Sequence, residues 1–135
     1  GGEGDVTDTH MAWHTQRGGG RDLPSPVAVG DYVFTVNMTG IAVMYHAETG
    51  KEVWKSRIGG NFSGTPFVAG GLIYTTDEDG VTQVIRPGDK LDVVAKNSVD
   101  AGGGEIFRAS STPSGGNVFL RSEKALYCVG SRGAE

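Results

Sequence analysis

Hydrophobic residues between positions 25 and 130 fall into short runs separated by glycine-rich or acidic turns. Short runs rich in Val, Ile, Thr and Tyr that end at Gly or Asp predict β-strands. No stretch combines a 3.6-residue hydrophobic period with the cap and stop signals of an α-helix. The pattern therefore predicts an all-β chain with strands near residues 27–29, 32–37, 41–46, 51–57, 66–69, 72–76, 81–86, 91–96, 107–112, 117–121 and 125–129.

The predicted strands repeat along the chain. Residues 25–35 match residues 65–75 at an offset of 40, and Gly115-Gly116 matches Gly70-Gly71 at an offset of 45. Pro113 does not align with the prolines of the earlier copies, so the third copy begins differently. Four-stranded repeats of this length are typical of β-propeller blades. We expect about three four-stranded antiparallel blades, with tails outside them: blades near residues 25–60, 65–100 and 108–130, a flexible tail at 1–8 and a second tail at 131–135.

A further strand-like run precedes the first repeat, at residues 9–16, with Met11 and Trp13 on one face. The third repeat contains only three predicted strands, so this run would be its fourth. Pairing one chain end with the blade at the other end removes exposed strand edges. Three blades are fewer than a closed propeller normally has. We therefore expect residues 9–16 to complete the last blade, either within the same chain or in a partner.

The most specific motif is residues 45–54, Tyr-His-Ala-Glu-Thr-Gly-Lys-Glu-Val-Trp. It resembles the tryptophan-docking motif of pyrroloquinoline-quinone-like repeats in outer-membrane-assembly-type propellers. The resemblance extends over residues 9–130, and residues 120–130 resemble the last blade of such proteins. It implies that Trp54 packs between neighbouring blades, since a Trp buries a large apolar area and keeps one N–H donor.

The same resemblance assigns the other members of a structural docking motif. It implies that Ala47, Thr49 and Gly50 form the turn that receives a Trp, and that Trp13 occupies the equivalent place on the N-terminal strand. The second repeat departs from the motif, because Val94 or Ala95 stands where the Trp is expected.

Composition and charge exclude several classes of function. The net charge is −4 and the pI is about 5.3, which gives no basic face for nucleic acid. No apolar run reaches the 18 residues that predict a membrane span. Residues 1–8 carry no signal-peptide pattern. The resemblance nevertheless implies a periplasmic or exported protein.

The candidate chemical groups do not form a recognisable site. Quinoprotein dehydrogenases, which the repeat resembles, use a pair of adjacent cysteines, whereas Cys128 is the only cysteine and is predicted to be a buried thiol in a strand. Residues 77–79 (Asp-Glu-Asp) lack the alternating ligands of a calcium loop, so we predict that they form a solvated turn. His10 and His14 are too far apart on a strand for joint metal ligation. We therefore predict no catalytic, cofactor-binding or metal-binding residues, and no enzyme.

Three functions remain as hypotheses. The first is a non-catalytic propeller segment that serves as a binding or protein-interaction scaffold. The second is a self-assembling half-propeller that forms a six-bladed dimer with another copy. The third is a subdomain of a quinone-dependent oxidoreductase whose catalytic residues lie elsewhere. The expected partners are accordingly a second copy, the remaining blades of a longer propeller, or a protein that the sequence does not identify.

Overall fold

The computed structural model describes residues 1–16, 22–99 and 103–131 of the 135-residue chain. Gly18–Gly20, predicted to be a connection, and nearly all of the predicted C-terminal tail lie outside the described residues. Within them the structure contains one short helix and eleven strands: α1 (Thr7–His10), β1 (Val27–Val29), β2 (Tyr32–Val36), β3 (Ile41–His46), β4 (Glu52–Arg57), β5 (Phe67–Ala69), β6 (Leu72–Thr76), β7 (Val81–Arg86), β8 (Asp92–Ser98), β9 (Thr112–Ser114), β10 (Asn117–Arg121) and β11 (Leu126–Val129).

The strands form three antiparallel sheets that follow one another along the chain. The first two sheets have four strands each, in the orders β1-β2-β3-β4 and β5-β6-β7-β8, and the third has three, in the order β9-β10-β11. The prediction of an all-β fold built from antiparallel blades is confirmed. We call these sheets blades 1, 2 and 3.

The repeat seen in the sequence is also a repeat in strand register. Val27 pairs with Phe34, Phe67 with Tyr74, and Thr112 with Phe119. Each of these hairpins turns at a glycine with positive φ: Gly30, Gly70 and Gly115, at 55°, 56° and 58°. Glycine adopts this conformation without the steric cost that a Cβ imposes, and it allows a tight two-strand turn.

One predicted strand is wrong. Residues 107–112 were expected to form a strand, but β9 begins only at Thr112, and Phe107 is buried in the loop before it. Phe107 is the counterpart of Phe62: their backbone N–H groups donate to Glu78 O and Met38 O, which are equivalent positions in successive blades. Its apolar character therefore reflects packing between blades rather than a place in a sheet.

The main hydrophobic core is shared by blades 1 and 2. Its fully buried side chains come from both sheets and from the linker between them: Phe34, Ala42, Met44, Phe62, Ile73 and Ile85. Fully burying an aliphatic or aromatic side chain of this size contributes roughly 1.5–3 kcal/mol. The blades are thus packed face to face by side chains, in addition to the strand pairing within each blade.

The N-terminal segment does not join the third blade of its own chain. Thr9 and His10 belong to α1, and residues 11–16 pair with no strand of the described sheets. The expectation that residues 9–16 complete the last blade in the same chain is therefore wrong. The predicted flexible tail at 1–8 also differs from the structure, because its last two residues, Thr7 and Asp8, belong to α1. The physical reason is that Trp13 holds the segment against blade 1.

Candidate functional site: tryptophan docks and a free strand edge

Trp54 links blade 1 to blade 2. It lies on β4, and its indole Nε1–H donates to the carbonyl oxygen of Gly88 at 3.0 Å. Its ring approaches Phe34 at 6.3 Å between centroids and packs against the shared core. The acceptor lies in the turn between β7 and β8. A single side chain thus supplies both apolar contact and a directed hydrogen bond across the blade boundary.

Trp13 makes the same contact one blade earlier. Its Nε1–H donates to Ala47 O at 2.8 Å, in the turn between β3 and β4. Donor and acceptor are 34 residues apart in both tryptophan pairs. Trp13 therefore occupies, relative to blade 1, the position that Trp54 occupies relative to blade 2. Residues 11–16 lie where the fourth strand of a preceding blade would lie.

Gly50 is needed for this contact on two grounds. Its φ is +69°, which L-residues rarely adopt, and a Cβ on it would meet the ring of Trp13 at 2.5 Å. Thr49 is exposed, and its hydroxyl accepts a hydrogen bond from the N–H of Lys51 at 3.3 Å. Ala47 also donates its N–H to Asp31 O at 2.8 Å, which fixes the carbonyl that Trp13 uses.

The structure decides which residue of the second repeat replaces the Trp. Trp54 pairs with Met44 in blade 1, and Ala95 pairs with Val84 in blade 2. In each blade the strand register shifts immediately after this pair. Ala95 is therefore the counterpart of Trp54, and blade 2 carries no indole there to dock on blade 3.

Hydroxyl side chains connect the starts of the blades. The N–H of Ser25 donates to Thr65 Oγ1 at 3.0 Å, and the N–H of Thr65 donates to Ser110 Oγ at 2.9 Å. These three residues precede β1, β5 and β9. The first strands of neighbouring blades are also in contact. The serines and threonine thus hold successive blades together, which explains their polarity at half-buried or exposed positions.

A polar side chain closes the second hairpin of every blade. Asn37 Oδ1, Asp77 Oδ1 and Ser122 Oγ each accept two N–H groups of the turn that they begin. Such side chains satisfy backbone donors that would otherwise lack partners. Asp77 is buried, so the prediction of a solvated acidic turn is wrong for this residue. Burial raises the pKa of its carboxyl group above the ordinary value. The two N–H contacts lower the pKa, but their effect is smaller than that of burial.

A second carboxylate anchors blade 3. Glu105 Oε2 accepts hydrogen bonds from Ser122 Oγ and from Tyr127 Oη, the latter at 2.9 Å. The Ser122 bond holds the pKa of Glu105 below its ordinary value, and the Glu105 bond raises the pKa of Tyr127. The ring of Tyr127 also lies 5.8 Å from that of Phe107. β11 is thus tied to the linker that precedes its own blade.

The outer edge of β11 carries exposed apolar side chains. β11 pairs with β10 on one side and with no described strand on the other. Leu126 is 69% exposed and Val129 is 46% exposed, which is unusual for large apolar residues of a sheet. Cys128 is also exposed. The prediction of a buried thiol is wrong, because no strand among the described residues covers this edge of β11.

Two of the three histidines have structural partners, and His14 is exposed. His46 stacks on Tyr32 at 5.5 Å, and His10 lies within 2.7 Å of Thr9 Oγ1. Among the described residues, no group of three or more His, Cys, Asp or Glu side chains is arranged to hold a metal ion. No helix in the described ranges is long and apolar enough to cross a membrane.

Solved structures place the fold among the propellers. The structure of BamB from Moraxella catarrhalis matches with a TM-score of 0.58 at 17% identity, covering 75% of this chain and 29% of that one. The β-propeller domain of Cps50 (Swd1) from Myceliophthora thermophila matches with a TM-score of 0.59 at 14% identity, covering 78% of this chain and 38% of that one. At these identities the likeness establishes the fold alone.

Sequence comparison establishes the family. The curated outer membrane protein assembly factor BamB of Burkholderia pseudomallei (strain K96243) is 35% identical over 116 residues, which is 85% of this chain and 28% of that protein. The chain thus spans little more than a quarter of the length of this relative. The family profile described as outer membrane protein assembly factor BamB matches residues 5–113. The chain belongs to the BamB family of pyrroloquinoline-quinone-like β-propeller repeat proteins.

Proposed function

We propose that this chain is a non-catalytic propeller segment that acts as a protein-binding scaffold outside the cytoplasm. The observation that carries the proposal is that the chain belongs to a family whose description is an outer membrane protein assembly factor. The docking of Trp54 on blade 2 supports it, because docked blades form a rigid unit. Rigid blades hold loops in fixed relative positions, which reduces the entropy lost when a large partner binds. We propose residues 25–60, 65–100 and 108–130 as the blades of this scaffold.

Antiparallel pairing creates two distinct ends on which a partner would bind. One end, which we call the hairpin end, contains the β1–β2 and β3–β4 turns of blade 1 and the equivalent turns of the other blades. The β2–β3-type turns and the linkers between blades lie at the other, the linker end. Asp31 is exposed at the hairpin end and Asp79 at the linker end. The partner we propose is a protein of the cell envelope, because the family is that of an envelope assembly factor.

Site-specific photo-cross-linking tests the scaffold function. A photoreactive amino acid would replace Asp31 or Asp79 in the chain exported to the bacterial periplasm, with Lys96 on the outer strand β8 as a matched exposed control. We expect a discrete cross-linked protein from one end and none from Lys96. If folded chain is recovered from the envelope and neither end gives a product, the scaffold function is wrong.

A cofactor titration of the purified chain distinguishes the oxidoreductase hypothesis from the scaffold proposal. Trp13 and Trp54 report on their surroundings by fluorescence, so the purified chain would be titrated with pyrroloquinoline quinone and Ca²⁺. Under the scaffold proposal the quinone does not bind in a saturable manner. Saturable quenching, followed by dye reduction with an alcohol or sugar, would favour a subdomain of a quinone-dependent enzyme instead.

A further inference from the structure

We propose that the boundary between blades 2 and 3 is a hinge, which stays closed at the linker end and opens at the hairpin end. The proposal rests on contacts within the chain and not on the proposed scaffold function. Blades 1 and 2 are joined by hydrogen bonds at both ends. Among the described residues, the hydrogen bonds that join blades 2 and 3 all lie at the linker end.

Two side-chain hydrogen bonds join blades 1 and 2 at the hairpin end. The indole Nε1–H of Trp54 donates to Gly88 O at 3.0 Å, and the hydroxyl of Tyr32 donates to Asp89 Oδ1 at 2.9 Å. Both acceptors lie in the turn between β7 and β8, and both donors belong to blade 1. The side chains of a blade therefore determine whether its hairpin end is bonded to the blade that follows.

Blade 2 lacks both of these donors. Leu72 begins β6 as Tyr32 begins β2, so it is the counterpart of that tyrosine. Ala95 is the counterpart of Trp54. Neither a leucine nor an alanine side chain can donate a hydrogen bond. The difference between the two boundaries is therefore a property of blade 2 itself, and it does not depend on the residues that follow β11.

Apolar packing differs between the two boundaries in the same direction. Phe34 and Ile73 belong to the core shared by blades 1 and 2, and both are fully buried. Strand register makes Tyr74 and Val118 their counterparts at the second boundary, and both are only partly buried. The ring of Tyr74 stacks instead on Phe67 of its own blade, at 4.8 Å between centroids. Separating the blades at this end therefore exposes less apolar surface and costs less free energy.

The linker end of the same boundary is closely packed and holds the pivot. Phe107 is 3% exposed, and its N–H donates to Glu78 O in the β6–β7 turn at 2.9 Å. Only a glycine fits beside its ring, since a Cβ on Gly80 would lie 2.7 Å from it. The hydroxyl oxygens of Thr76 and Ser111 are 3.1 Å apart, within hydrogen-bond distance. These contacts hold blade 3 against blade 2 at this end while the other end separates.

The hinge changes the spacing between the hairpin-end turns of blades 2 and 3 and leaves the linker-end spacing unchanged. Regions with few buried apolar contacts and few hydrogen bonds open at a lower free energy than the core does. Blades 1 and 2 stay together as a rigid unit, because both of their hairpin-end hydrogen bonds are present. A protein that binds the hairpin-end turns of blades 2 and 3 in one arrangement would shift the hinge toward that arrangement.

Backbone ¹⁵N relaxation dispersion on the purified chain tests the hinge, because hinge motions occur on the microsecond-to-millisecond timescale that this method detects. We expect exchange at the hairpin-end amides of Leu72, Tyr74 and Val118, and none at the linker-end amides of Asp77 and Phe107. Exchange at all five amides would mean that blade 3 detaches or unfolds as a whole, and the hinge would be wrong. Flat profiles at both ends, with equal hydrogen-exchange protection, would also overturn it.

A matched variant transfers the blade 2 residues to blade 1, by combining Tyr32→Leu with Trp54→Ala. The amide of Phe34 should then gain exchange that the wild type lacks, while the linker-end amide of Phe62 should not. Tyr32→Phe with Trp54→Phe removes the same donors and keeps the rings, in case the first variant does not fold. Lys55→Ala, at an exposed position of β4, is the control and should change neither amide.

A folded double variant in which Phe34 stays free of exchange would show that the two hydrogen bonds do not control opening, and the proposal would fail. These measurements use the purified chain without a partner. Their failure therefore leaves the photo-cross-linking test of the scaffold function unaffected.

Discussion

At the scale of single residues, the tryptophans carry the strongest prediction about stability. Trp54 crosses a blade boundary with an apolar ring and one hydrogen bond to Gly88. Trp54→Ala should lower the free energy of unfolding by about 3 kcal/mol, near the low end for Trp truncations because the ring is only partly buried. Urea denaturation followed by circular dichroism measures this loss.

A matched substitution separates the two contributions of Trp54. Trp54→Phe keeps an aromatic ring but removes the N–H donor, so it should cost about 1 kcal/mol for the lost hydrogen bond, plus a small packing change. If Trp54→Ala unfolds at the same urea concentration as the wild type, the indole does not join the blades, and the proposed docking role fails.

Asp77 makes stability depend on pH. Burial raises the pKa of its carboxyl group, so between the unfolded and folded pKa values the folded state binds more protons. Its contribution to stability is therefore fully present below the unfolded pKa, and it is lost as the pH rises through the folded pKa. Asp77→Asn removes this loss and keeps the oxygen that accepts the N–H groups of Asp79 and Val81. The variant should melt at a higher temperature than the wild type at pH 7, with a smaller difference at pH 4.

Blade 1 offers the reverse experiment. Asn37 occupies the equivalent turn and accepts the N–H groups of Thr39 and Ile41 at 3.0 and 2.9 Å. Asn37→Asp should therefore lower the melting temperature at pH 7 and have less effect at pH 4. An Asp77→Asn variant that is less stable than the wild type at pH 7 would show that the charge is stabilising, contrary to this account.

At the scale of secondary-structure elements, the hairpin turns determine how closely the blades approach. Gly80, between β6 and β7, has a φ of +80°, and a Cβ on it would lie 2.7 Å from the ring of Phe107. Gly71, between β5 and β6, has a φ of +74° with nothing within 4 Å. The two positions share backbone strain and differ in available space.

Alanine substitutions at these two glycines should therefore differ. Gly71→Ala should cost about 1–2 kcal/mol from the left-handed conformation alone. Gly80→Ala should cost more, because Phe107 must also move, and Phe107 is buried between blades. Chemical denaturation of both variants measures the difference. Equal losses would mean that the contact between Gly80 and Phe107 does not limit the packing of blade 2 on blade 3.

At the scale of the whole molecule, the described blades differ in how they are paired and docked. Blades 1 and 2 are complete and share a core, blade 3 has an exposed outer strand, and residues 11–16 dock on blade 1 without pairing. The proposed scaffold uses the loops at the blade ends, which the docked blades hold in fixed relative positions.

Local sequence determined most of the strands and the repeat. The hairpins at Gly30, Gly70 and Gly115 were evident because Gly-Asp or Gly-Gly between two strand-like runs is a short-range signal. The sequence also contains a signal against a strand at 107–112: Phe107 lies 45 residues after Phe62, the same offset that relates the later hairpins. That spacing marks a linker residue packed between blades.

Only the tertiary structure decided the position of the N-terminal segment, the burial of Asp77 and the exposure of Cys128. Each depends on how segments far apart in the chain meet: Trp13 contacts Ala47, Asp77 lies inside the packed second blade, and no described strand lies beside Cys128 on the outer side of β11. Strand patterns depend on neighbours two residues apart, so they appear in the sequence. Which strand edges are covered depends on how whole blades meet, and no local pattern encodes that.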